Sequence, residues 1–306
     1  MESSSSRPSG PVVCVSLASA LQVTFVGTSV RLGGVNRAAR RLVSQGGKAN
    51  NCARVLRGLG IEAVLAGFSG GSTGAEADAF LRGCGVEVDV VPVAEPTRMC
   101  VTVVDAGAGC HTELVEEAAW PGDAPLAALL ERVAARLVRA SALILAGALP
   151  PAAPPDAYAR FLRLAAEAGV PAFVDTSGEA LRRVCAERPL FVKLNRHEQR
   201  LTGPENPGAF AATIQAAGVP WLLVTDGSRA ATLYGADGAF TFTPPVITEV
   251  SALGSGDATT AGVVAAWLRG APMERAVPFG LACGAANART LIPGELDWTG
   301  LDRPGW

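Results

Sequence analysis

The sequence predicts a doubly wound α/β fold, in which a mostly parallel sheet carries helices on both faces. Residues 142–149 form an apolar run, as expected of a strand that is buried on both sides of a parallel sheet. After this run, short apolar segments alternate with segments of helical periodicity that end at glycines such as Gly169 and Gly218. That alternation is typical of a parallel sheet, whose ligands bind at the carboxyl ends of the strands.

Both halves of the chain supply elements in this order. In the first half we expect strands at residues 12–17, 62–68 and 86–93, and helices at residues 49–59 and 73–82. Asp123 is expected to cap a helix whose apolar face contains Leu126, Leu129, Leu130, Val133 and Leu137. In the second half we expect strands at residues 171–175, 190–194 and 221–225, helices at residues 158–168, 179–186 and 209–217, and a hairpin of residues 231–234 and 239–243.

Two strand-rich stretches fall outside the alternation. Residues 23–43 mix Val, Thr and Arg around glycines, and residues 98–105 and 111–117 form a plausible hairpin across Gly107 and Gly109. Neither stretch has the periodicity of a helix, so neither belongs to a strand–helix–strand unit of the main sheet.

The composition argues against several classes of protein. With 306 residues, 49% hydrophobic and 18% charged, the chain can build one large α/β domain or two small ones. A net charge of −2 without a Lys/Arg run predicts no nucleic-acid partner, and no apolar run is long enough to span a membrane. Seven cysteines without a Cys-x-x-Cys pair indicate free thiols in a reducing cytoplasm. The Ser-rich residues 1–10 lack the apolar core of a signal peptide and are expected to form a disordered tail.

Residues 252–262, ALGSGDATTAG, are the strongest candidate for a functional site. Gly254 and Gly256 allow the chain to turn successive N–H groups toward one point, and a helix that begins near Asp257 adds its own unpaired N–H groups and positive dipole end. Such a site suits a phosphoryl group that gains charge in a transition state. In one interpretation Asp257 is a general base that takes the proton of an attacking hydroxyl. In the other it is only a helix N-cap.

This Gly-Ser-Gly-Asp stretch resembles the C-terminal signature of the PfkB, or ribokinase-like, carbohydrate kinases, which usually reads Gly-Ala-Gly-Asp. Residues 46–56, GGKANNCARVL, resemble the N-terminal signature, and residues 175–181 and 193–198, DTSGEAL and KLNRHE, resemble the middle of the family. The resemblance extends from about residue 12 to residue 294 and is closest to the branch of 1-phosphofructokinase and tagatose-6-phosphate kinase.

The resemblance implies one ribokinase-like kinase domain at residues 11–306. Its two strand-rich pieces, about residues 20–45 and 95–118, would form a small β lid over the substrate. In many relatives this lid also makes a dimer contact, so a homodimer through the lid is expected here. The resemblance further implies that the chain uses ATP and Mg²⁺.

Site residues follow from the matched motifs. The N–H groups of Gly254, Ser255 and Gly256 would hold the developing charge, with Asp257 as the base. Gly46 and Gly47 would open space for the sugar beside Lys48, and Asn51 would bond its hydroxyls, although Asn51 could be only a residue of the first helical turn. Arg98 could present a bidentate fork to a substrate phosphate or be a solvated arginine of an edge strand.

The ATP side is implied in the same way. Lys193 and Asn195 would approach the ATP phosphates, while Glu198 would organise Mg²⁺ through water; a plain surface turn is the alternative. Thr225 and Gly227 match the nucleotide loop of the family, and Asn287 lies on the small-residue helix that flanks the adenine in relatives. Both histidines, His111 and His197, are expected in surface or loop positions without a metal role.

Three departures concentrate on the sugar side. Relatives of the phosphofructokinase branch carry a sugar-binding aspartate after the first strand, where this chain has Gln22. Cys100 and Val115 replace polar lid residues, and residues 251–252 read Ser-Ala where some relatives bind a monovalent cation with Asp-Thr. The predicted function is therefore ATP-dependent phosphorylation of a hydroxyl on a sugar or sugar phosphate, with a hexose phosphate as the main candidate. The alternatives are a kinase for another polyol or a nucleoside, and a weakly catalytic sugar- or nucleotide-binding regulator.

Overall fold

A large and a small sheet organise residues 9–302, the part of the chain that the computed structural model describes. The strands are β1 (Val12–Ser16), β2 (Ala20–Gly27), β3 (Arg40–Gly46), β4 (Ala63–Ser69), β5 (Glu87–Pro92), β6 (Arg98–Asp105), β7 (Cys110–Val115), β8 (Ala142–Ala146), β9 (Ala172–Asp175), β10 (Phe191–Asn195), β11 (Trp221–Asp226), β12 (Arg229–Gly235) and β13 (Gly238–Phe242). The helices are α1 (Lys48–Gly58), α2 (Gly71–Gly83), α3 (Asp123–Leu137), α4 (Ala157–Glu167), α5 (Gly178–Cys185), α6 (Arg196–Thr202), α7 (Pro207–Ala216), α8 (Ser255–Leu268) and α9 (Met273–Ala288).

The large sheet has the strand order β13-β12-β11-β10-β9-β8-β1-β4-β5. Neighbouring strands from β11 to β5 run parallel, and β12 and β13 add an antiparallel edge. Strand β1 lies inside the sheet, where it pairs with β4 on one side and with β8 on the other. The predicted mostly parallel, doubly wound sheet is confirmed.

Strand β1 shows why the sheet needs helices on both faces. Successive side chains of a strand point to opposite sides, and all five residues of β1 are buried. Val12 and Cys14 pack into a core that includes residues of α1, α8 and α9, whereas Val13 and Val15 pack into a second core with residues of α3, α4 and α5. Each face of the sheet therefore has its own apolar core.

Strand β8 is shorter than predicted because the chain turns at its carboxyl end. It stops at Ala146, and Gly147 follows with φ +114°, a conformation that favours glycine. The carbonyl of Gly147 accepts a hydrogen bond from the hydroxyl of Thr176 at 2.9 Å. The expected strand at residues 142–149 is thus wrong at its last three residues, which leave the sheet.

The small sheet has the order β3-β2-β6-β7 and comes from the two strand-rich stretches that interrupt the alternation. Strand β2 pairs with β6 in parallel and with β3 in antiparallel register, and β6 and β7 form the expected hairpin. Strand β7 is the edge of this sheet and pairs only with β6 within it, and all of its residues are exposed.

Several local predictions need correction. Asp123 lies in the first turn of α3, whose N-cap is Gly122 with φ +100°. The turn expected after β10 is the helix α6, and its exposed His197 lies on this helix. The predicted tail at residues 1–10 lies outside the described residues, apart from residues 9 and 10. Within residues 9–302, every helix is too short or too polar to cross a membrane.

Candidate active site

A cleft of about 530 Å³ lies where strands of the large sheet end beside the small sheet. It is lined by Ser16 at the end of β1, Gly147 after β8 and Asn195 at the end of β10. The small sheet contributes further side chains, among them Gln22 of β2 and Thr102 of β6. This is the position in which doubly wound sheets bind their ligands.

Two helices begin at this cleft. Gly47 is the N-cap of α1 with φ +107°, and Gly254 is the N-cap of α8 with φ +82°. Both angles favour glycine, and a Cβ atom on Gly254 would lie only 2.8 Å from Pro293. The positive dipole ends and unpaired N–H groups of two helices are therefore brought to one cavity.

Asp257 lies in the first turn of α8 and is only 6% exposed. Its Oδ2 accepts a hydrogen bond from Nδ2 of Asn51, in the first turns of α1, at 2.7 Å. The N-cap interpretation of Asp257 does not hold, because Gly254 occupies the cap position. Asn51, likewise, is more than a first-turn residue, since its side chain reaches a residue 206 positions away.

The surroundings of Asp257 make its carboxylate more basic. Burial and the nearby charge of Asp175 raise the pKa of Asp257 to about 6, although Lys48, Lys193 and the Asn51 hydrogen bond partly oppose this. A carboxylate with a pKa near 6 is ionised at neutral pH and still accepts a proton more readily than an ordinary aspartate. This is the protonation behaviour that a general base requires.

Beside Asp257, Asp175 at the end of β9 bridges two lysines. Its Oδ1 lies 2.8 Å from Nζ of Lys48, and its Oδ2 lies 2.6 Å from Nζ of Lys193. Asp175 is fully buried, which by itself would raise its pKa, but the two lysines hold the pKa of Asp175 below its usual range. Burial lowers the pKa of Lys48, and the carboxylates of Asp175 and Glu198 more than offset this, so the net pKa is raised. Lys48 is therefore cationic, and the side chains of both lysines are fixed in place by Asp175.

Glu198 is oriented by both of its carboxylate oxygens. Oε1 lies 2.7 Å from Nζ of Lys48, and Oε2 accepts the N–H of Asn195 at 2.9 Å. The Asn195 side chain in turn accepts the N–H of Glu198, which completes a capping box at the start of α6. Glu198 lines the cleft, and its oxygens are hard donors with lone pairs left over. A single carboxylate with waters and substrate phosphates is a common way to hold Mg²⁺, so this residue fits the metal.

A second, smaller pocket of about 140 Å³ adjoins the cleft. Thr225, near the end of β11, and Gly227, just after it, line this pocket together with the apolar side chains of Pro244, Pro245, Ile247 and Leu281. Ala252 and Gly256 line both cavities, so the two meet at the start of α8. The predicted nucleotide loop thus lines the smaller pocket, and the predicted phosphoryl site lies where this pocket meets the cleft.

The main chain at the junction is closely packed. A Cβ atom on Gly256 would lie 2.6 Å from Nζ of Lys193, so only glycine lets this ammonium group approach the first turn of α8. The N–H of Ser255 already donates to the carbonyl of Ala252 at 3.1 Å. Of the three predicted N–H donors, that of Ser255 is therefore committed to the turn, while Gly254 and Gly256 line the cleft.

The side chain of Asn287 has a different position from the one predicted. It is fully buried and lies outside the walls of both cavities. Its Nδ2 donates to the carbonyl of Leu253 at 2.8 Å, and its Oδ1 accepts the N–H of Gly294 at 2.8 Å. Asn287 therefore holds the turn before α8, and contact with ATP is not supported by this geometry.

On the small-sheet side, Gln22 and Arg98 line the cleft as predicted. Nε2 of Gln22 donates to the hydroxyl of Thr102 at 2.9 Å. Arg98 donates from Nη1 to the carbonyl of Glu116 at 2.9 Å and from Nη2 to the carbonyl of Ala18 at 2.8 Å. Both terminal nitrogens of the Arg98 guanidinium thus donate to backbone carbonyls. This differs from both predicted alternatives, a solvated arginine and a guanidinium that is free to bind a substrate phosphate. Gly46 does not line the cleft, although its neighbour Gly47 does.

Sequence reasoning did not assign two groups of residues to the site. Asp175 belongs to a matched motif and ends a buried parallel strand, but its role depends on two lysines that lie 127 and 18 residues away. His111 is exposed, as expected, but it lies on strand β7 and lines the cleft with Glu113, 3.8 Å away. The alternation of β7, which places residues 111, 113 and 115 on one face, is the signal that could have found this pair.

Comparisons with known proteins show which family and which solved structures this chain is similar to. A family model described as pfkB family carbohydrate kinase matches residues 12–294. The 1-phosphofructokinase of Bacillus subtilis is 27% identical over 263 residues, which cover 84% of this chain and 86% of that protein. The 1-phosphofructokinase of Borreliella burgdorferi is 28% identical over 250 residues, which cover 79% and 80%. Phosphofructokinase-2 from Escherichia coli, solved in complex with substrates and products, superposes with a TM-score of 0.84 at 25% identity, covering 96% of this chain and 95% of that one.

Proposed function

Because the chain belongs to the pfkB family of carbohydrate kinases, we propose that it transfers the γ-phosphoryl group of ATP to a hydroxyl of a hexose phosphate. Members of this family are phosphotransferases with an alcohol acceptor, and the two curated relatives are 1-phosphofructokinases. The observation that carries the proposal is the position of Asp257. This buried carboxylate stands at the N-terminus of α8, where the cleft meets the smaller pocket.

In this proposal Asp257 accepts the proton of the attacking hydroxyl, and the oxygen then attacks the γ-phosphorus. Charge spreads over the oxygens of the transferred group in the transition state. The ammonium group of Lys193 and the N–H group of Gly256 lie together at the junction and are suited to stabilise it. Lys193 is buried and paired with Asp175, so it is already oriented before substrate binds.

ATP would place its adenine in the smaller pocket and its phosphates toward Gly256. The apolar walls formed by Pro244, Ile247 and Leu281 suit a flat heterocycle, and Thr225 and Gly227 lie beside them. Glu198 would hold Mg²⁺ through water, next to Asn195 and Lys48. When bound, Mg²⁺ neutralises charge on the phosphate oxygens of the nucleotide.

A kinase for an unphosphorylated polyol or nucleoside is the second candidate. It is favoured by the charges on the acceptor side, where Gln22 is neutral and both ends of the Arg98 fork donate to backbone carbonyls. Lys48 is likewise paired with two carboxylates. Arg98 and Lys48 are thus already paired within the protein, which leaves the cleft with few free cations to bind the phosphate of a sugar phosphate.

ATP turnover against a panel of sugars, sugar phosphates and nucleosides tests the proposal. We expect the highest kcat/KM for a hexose phosphate, with fructose 1-phosphate, fructose 6-phosphate and tagatose 6-phosphate in the first set. A preference for an unphosphorylated acceptor would instead support the second candidate. If the protein binds ATP but transfers phosphate to none of these acceptors, the result would support the third alternative, a weakly catalytic sugar- or nucleotide-binding regulator.

Two further expectations concern the assembly and its compartment. The small sheet exposes Met99 and Leu114, which are 38% and 62% exposed, and we propose that a second copy of the chain covers this sheet. Sedimentation as a monomer at micromolar concentration would exclude such a dimer.

The cysteines, among them Cys110 on the surface, are free thiols, which supports the expected reducing cytoplasm.

A further inference from the structure

Behind Asn51 lies a second amide that no substrate can reach. Gln45, near the end of β3, is fully buried, and its Nε2 donates to Oδ1 of Asn51 at 3.0 Å. Asn51 in turn donates from Nδ2 to Oδ2 of Asp257 at 2.7 Å. The three side chains form a directed chain of hydrogen bonds that ends on the carboxylate of Asp257.

The direction of this chain has a chemical consequence. An asparagine amide can present either its NH₂ group or its oxygen to a neighbour, because the two ends have nearly the same shape. Gln45 donates to the oxygen of Asn51, so the NH₂ group is the end left for Asp257. Only an NH₂ group stabilises an ionised carboxylate; an amide oxygen in the same place would repel it.

The cost of Gln45 to the fold points the same way. Its Oε1 is buried and lacks a hydrogen-bond partner among the residues that the structure describes. An unpaired buried carbonyl destabilises a protein, whereas an apolar side chain of similar shape would avoid this cost. Packing alone therefore gives no reason for a glutamine at this position, while its hydrogen bond to Asn51 does.

We propose that Gln45 is a positioning residue, which keeps the NH₂ group of Asn51 directed at Asp257 and thereby keeps the base ready to accept a proton. This inference rests on the proposed function, in which Asp257 activates the acceptor hydroxyl. Gln45 itself touches neither substrate nor Asp257.

Removal of the Gln45 amide changes the preferred state of Asp257. Asn51 is then free to turn its oxygen toward Asp257, and this arrangement is favourable when Asp257 carries a proton that it can donate. The variant thus stabilises the protonated base and raises the pKa of Asp257. The other groups around Asp257 are unchanged: Asp175 raises its pKa, Lys48 and Lys193 lower it, and burial raises the pKa of the neighbouring Cys52 so that its thiol stays neutral.

The test is the pH dependence of kcat/KM for the full chain and for Gln45→Met, whose side chain has a similar shape. We expect the acidic limb of the profile to move up by about one pH unit, which gives a roughly tenfold loss at pH values below the limb. Activity should approach that of the wild type at alkaline pH. The midpoint of thermal unfolding should stay the same or rise, because the unpaired Gln45 carbonyl is gone.

Gln199→Met is the matched control. Gln199 of α6 is also fully buried with an unpaired Oε1, but its Nε2 donates to the carbonyl of Pro204. The control should leave the acidic limb in place whatever it does to stability. Should Gln45→Met fail to fold, Gln45→Leu, which is smaller and cannot overfill the site, replaces it.

Three results separate the possible failures. An unmoved acidic limb in the folded Gln45 variants, while Asp257→Asn is inactive, would overturn the positioning role and leave the proposed function intact. Near-normal activity of Asp257→Asn would overturn the proposed function itself. A lower unfolding midpoint with an unmoved limb would show that Gln45 only packs.

Discussion

The phosphoryl wall and the acceptor wall of the cleft are held in different ways. On the phosphoryl wall, Asp257, Lys193 and Asp175 are 6%, 2% and 0% exposed, and each is fixed by buried partners from other elements. On the acceptor wall, His111 and Glu113 stand on the exposed edge strand β7. Asp257, Lys193 and Asp175 are therefore held in fixed positions, whereas His111 and Glu113 could be substituted at little cost to the stability of the fold. Two of the three departures from family motifs lie on the small sheet, namely Gln22 and the pair Cys100 and Val115, while the third, at residues 251–252, precedes α8.

The largest effect is expected when the buried network of the phosphoryl wall is broken. Asp175→Asn leaves the ammonium groups of Lys48 and Lys193 without their shared carboxylate, and removal of one member of a buried ion pair typically costs about 3–5 kcal/mol. Unfolding in urea at pH 7 measures this loss. Asp156→Asn is the control, because its pair with Arg160 is partly exposed and worth about 0–1 kcal/mol.

The same variant predicts a pH signature with a definite sign. The pKa of Asp175 is held below its usual range in the fold. Its contribution to stability is therefore present above the unfolded pKa, about 4, and is lost as the pH falls through the lower folded pKa. The stability of the wild type should decline toward the variant on acidification. Equal stability of the two proteins at pH 7 would show that the network does not hold this wall together.

Loss of Asp257, the proposed base, is expected to have the next largest effect. Asp257→Asn keeps an oxygen that can accept the Asn51 hydrogen bond but cannot take a proton, so kcat should fall at least about a hundredfold while the KM for ATP changes little. Initial rates and an ATP titration check this, with Asp237→Asn in the exposed turn after β12 as the control. Turnover close to that of the wild type would reduce Asp257 to a structural residue of α8.

On the acceptor wall the corresponding test is a gain. Gln22→Asp restores a charged acceptor at the position where relatives of the phosphofructokinase branch carry one. A hydrogen bond to a charged group is worth about 1.5–3 kcal/mol, which corresponds to roughly ten- to a hundredfold in kcat/KM. We expect this gain for at least one of fructose 1-phosphate, fructose 6-phosphate and tagatose 6-phosphate. Strong activity of the wild type on one of them, without a gain in the variant, would show that other residues supply the contact.

The difference between the walls also decides what could be predicted from sequence. The large sheet follows from local apolar patterns, and Asp257 with Gly254 follows from a short motif. The partners of Asp257 do not, because Asn51 is 206 residues away and Asp175 meets Lys48 across 127 residues. The motifs predict that Arg98 and Asn287 contact ligands. Only the folded chain shows that their side chains already donate hydrogen bonds to backbone carbonyls. A motif indicates which residues matter, but hydrogen-bond partners depend on packing.

The smallest effect is expected at Glu198, which pairs with Lys48 and is proposed to hold Mg²⁺ through water. Glu198→Gln keeps an oxygen that can accept the N–H of Asn195, so the start of α6 should remain folded, and Lys48 keeps its pair with Asp175. The variant loses the negative charge of Glu198 in the part of the cleft where the ATP phosphates are proposed to lie. Changes to groups that act on a metal through an intermediate typically cost tenfold or more in affinity, and here the cost should stay near about tenfold, because substrate phosphates supply the other ligands of Mg²⁺. The Mg²⁺ concentration for half-maximal activity, measured at saturating ATP and acceptor, should therefore rise by that factor with kcat nearly restored at high Mg²⁺. Glu205→Gln, an exposed position beyond α6, controls for the change in net charge. If Glu198→Gln left the Mg²⁺ titration unchanged, the role of Glu198 would be limited to its ion pair with Lys48, and Mg²⁺ would have to bind elsewhere in the groove.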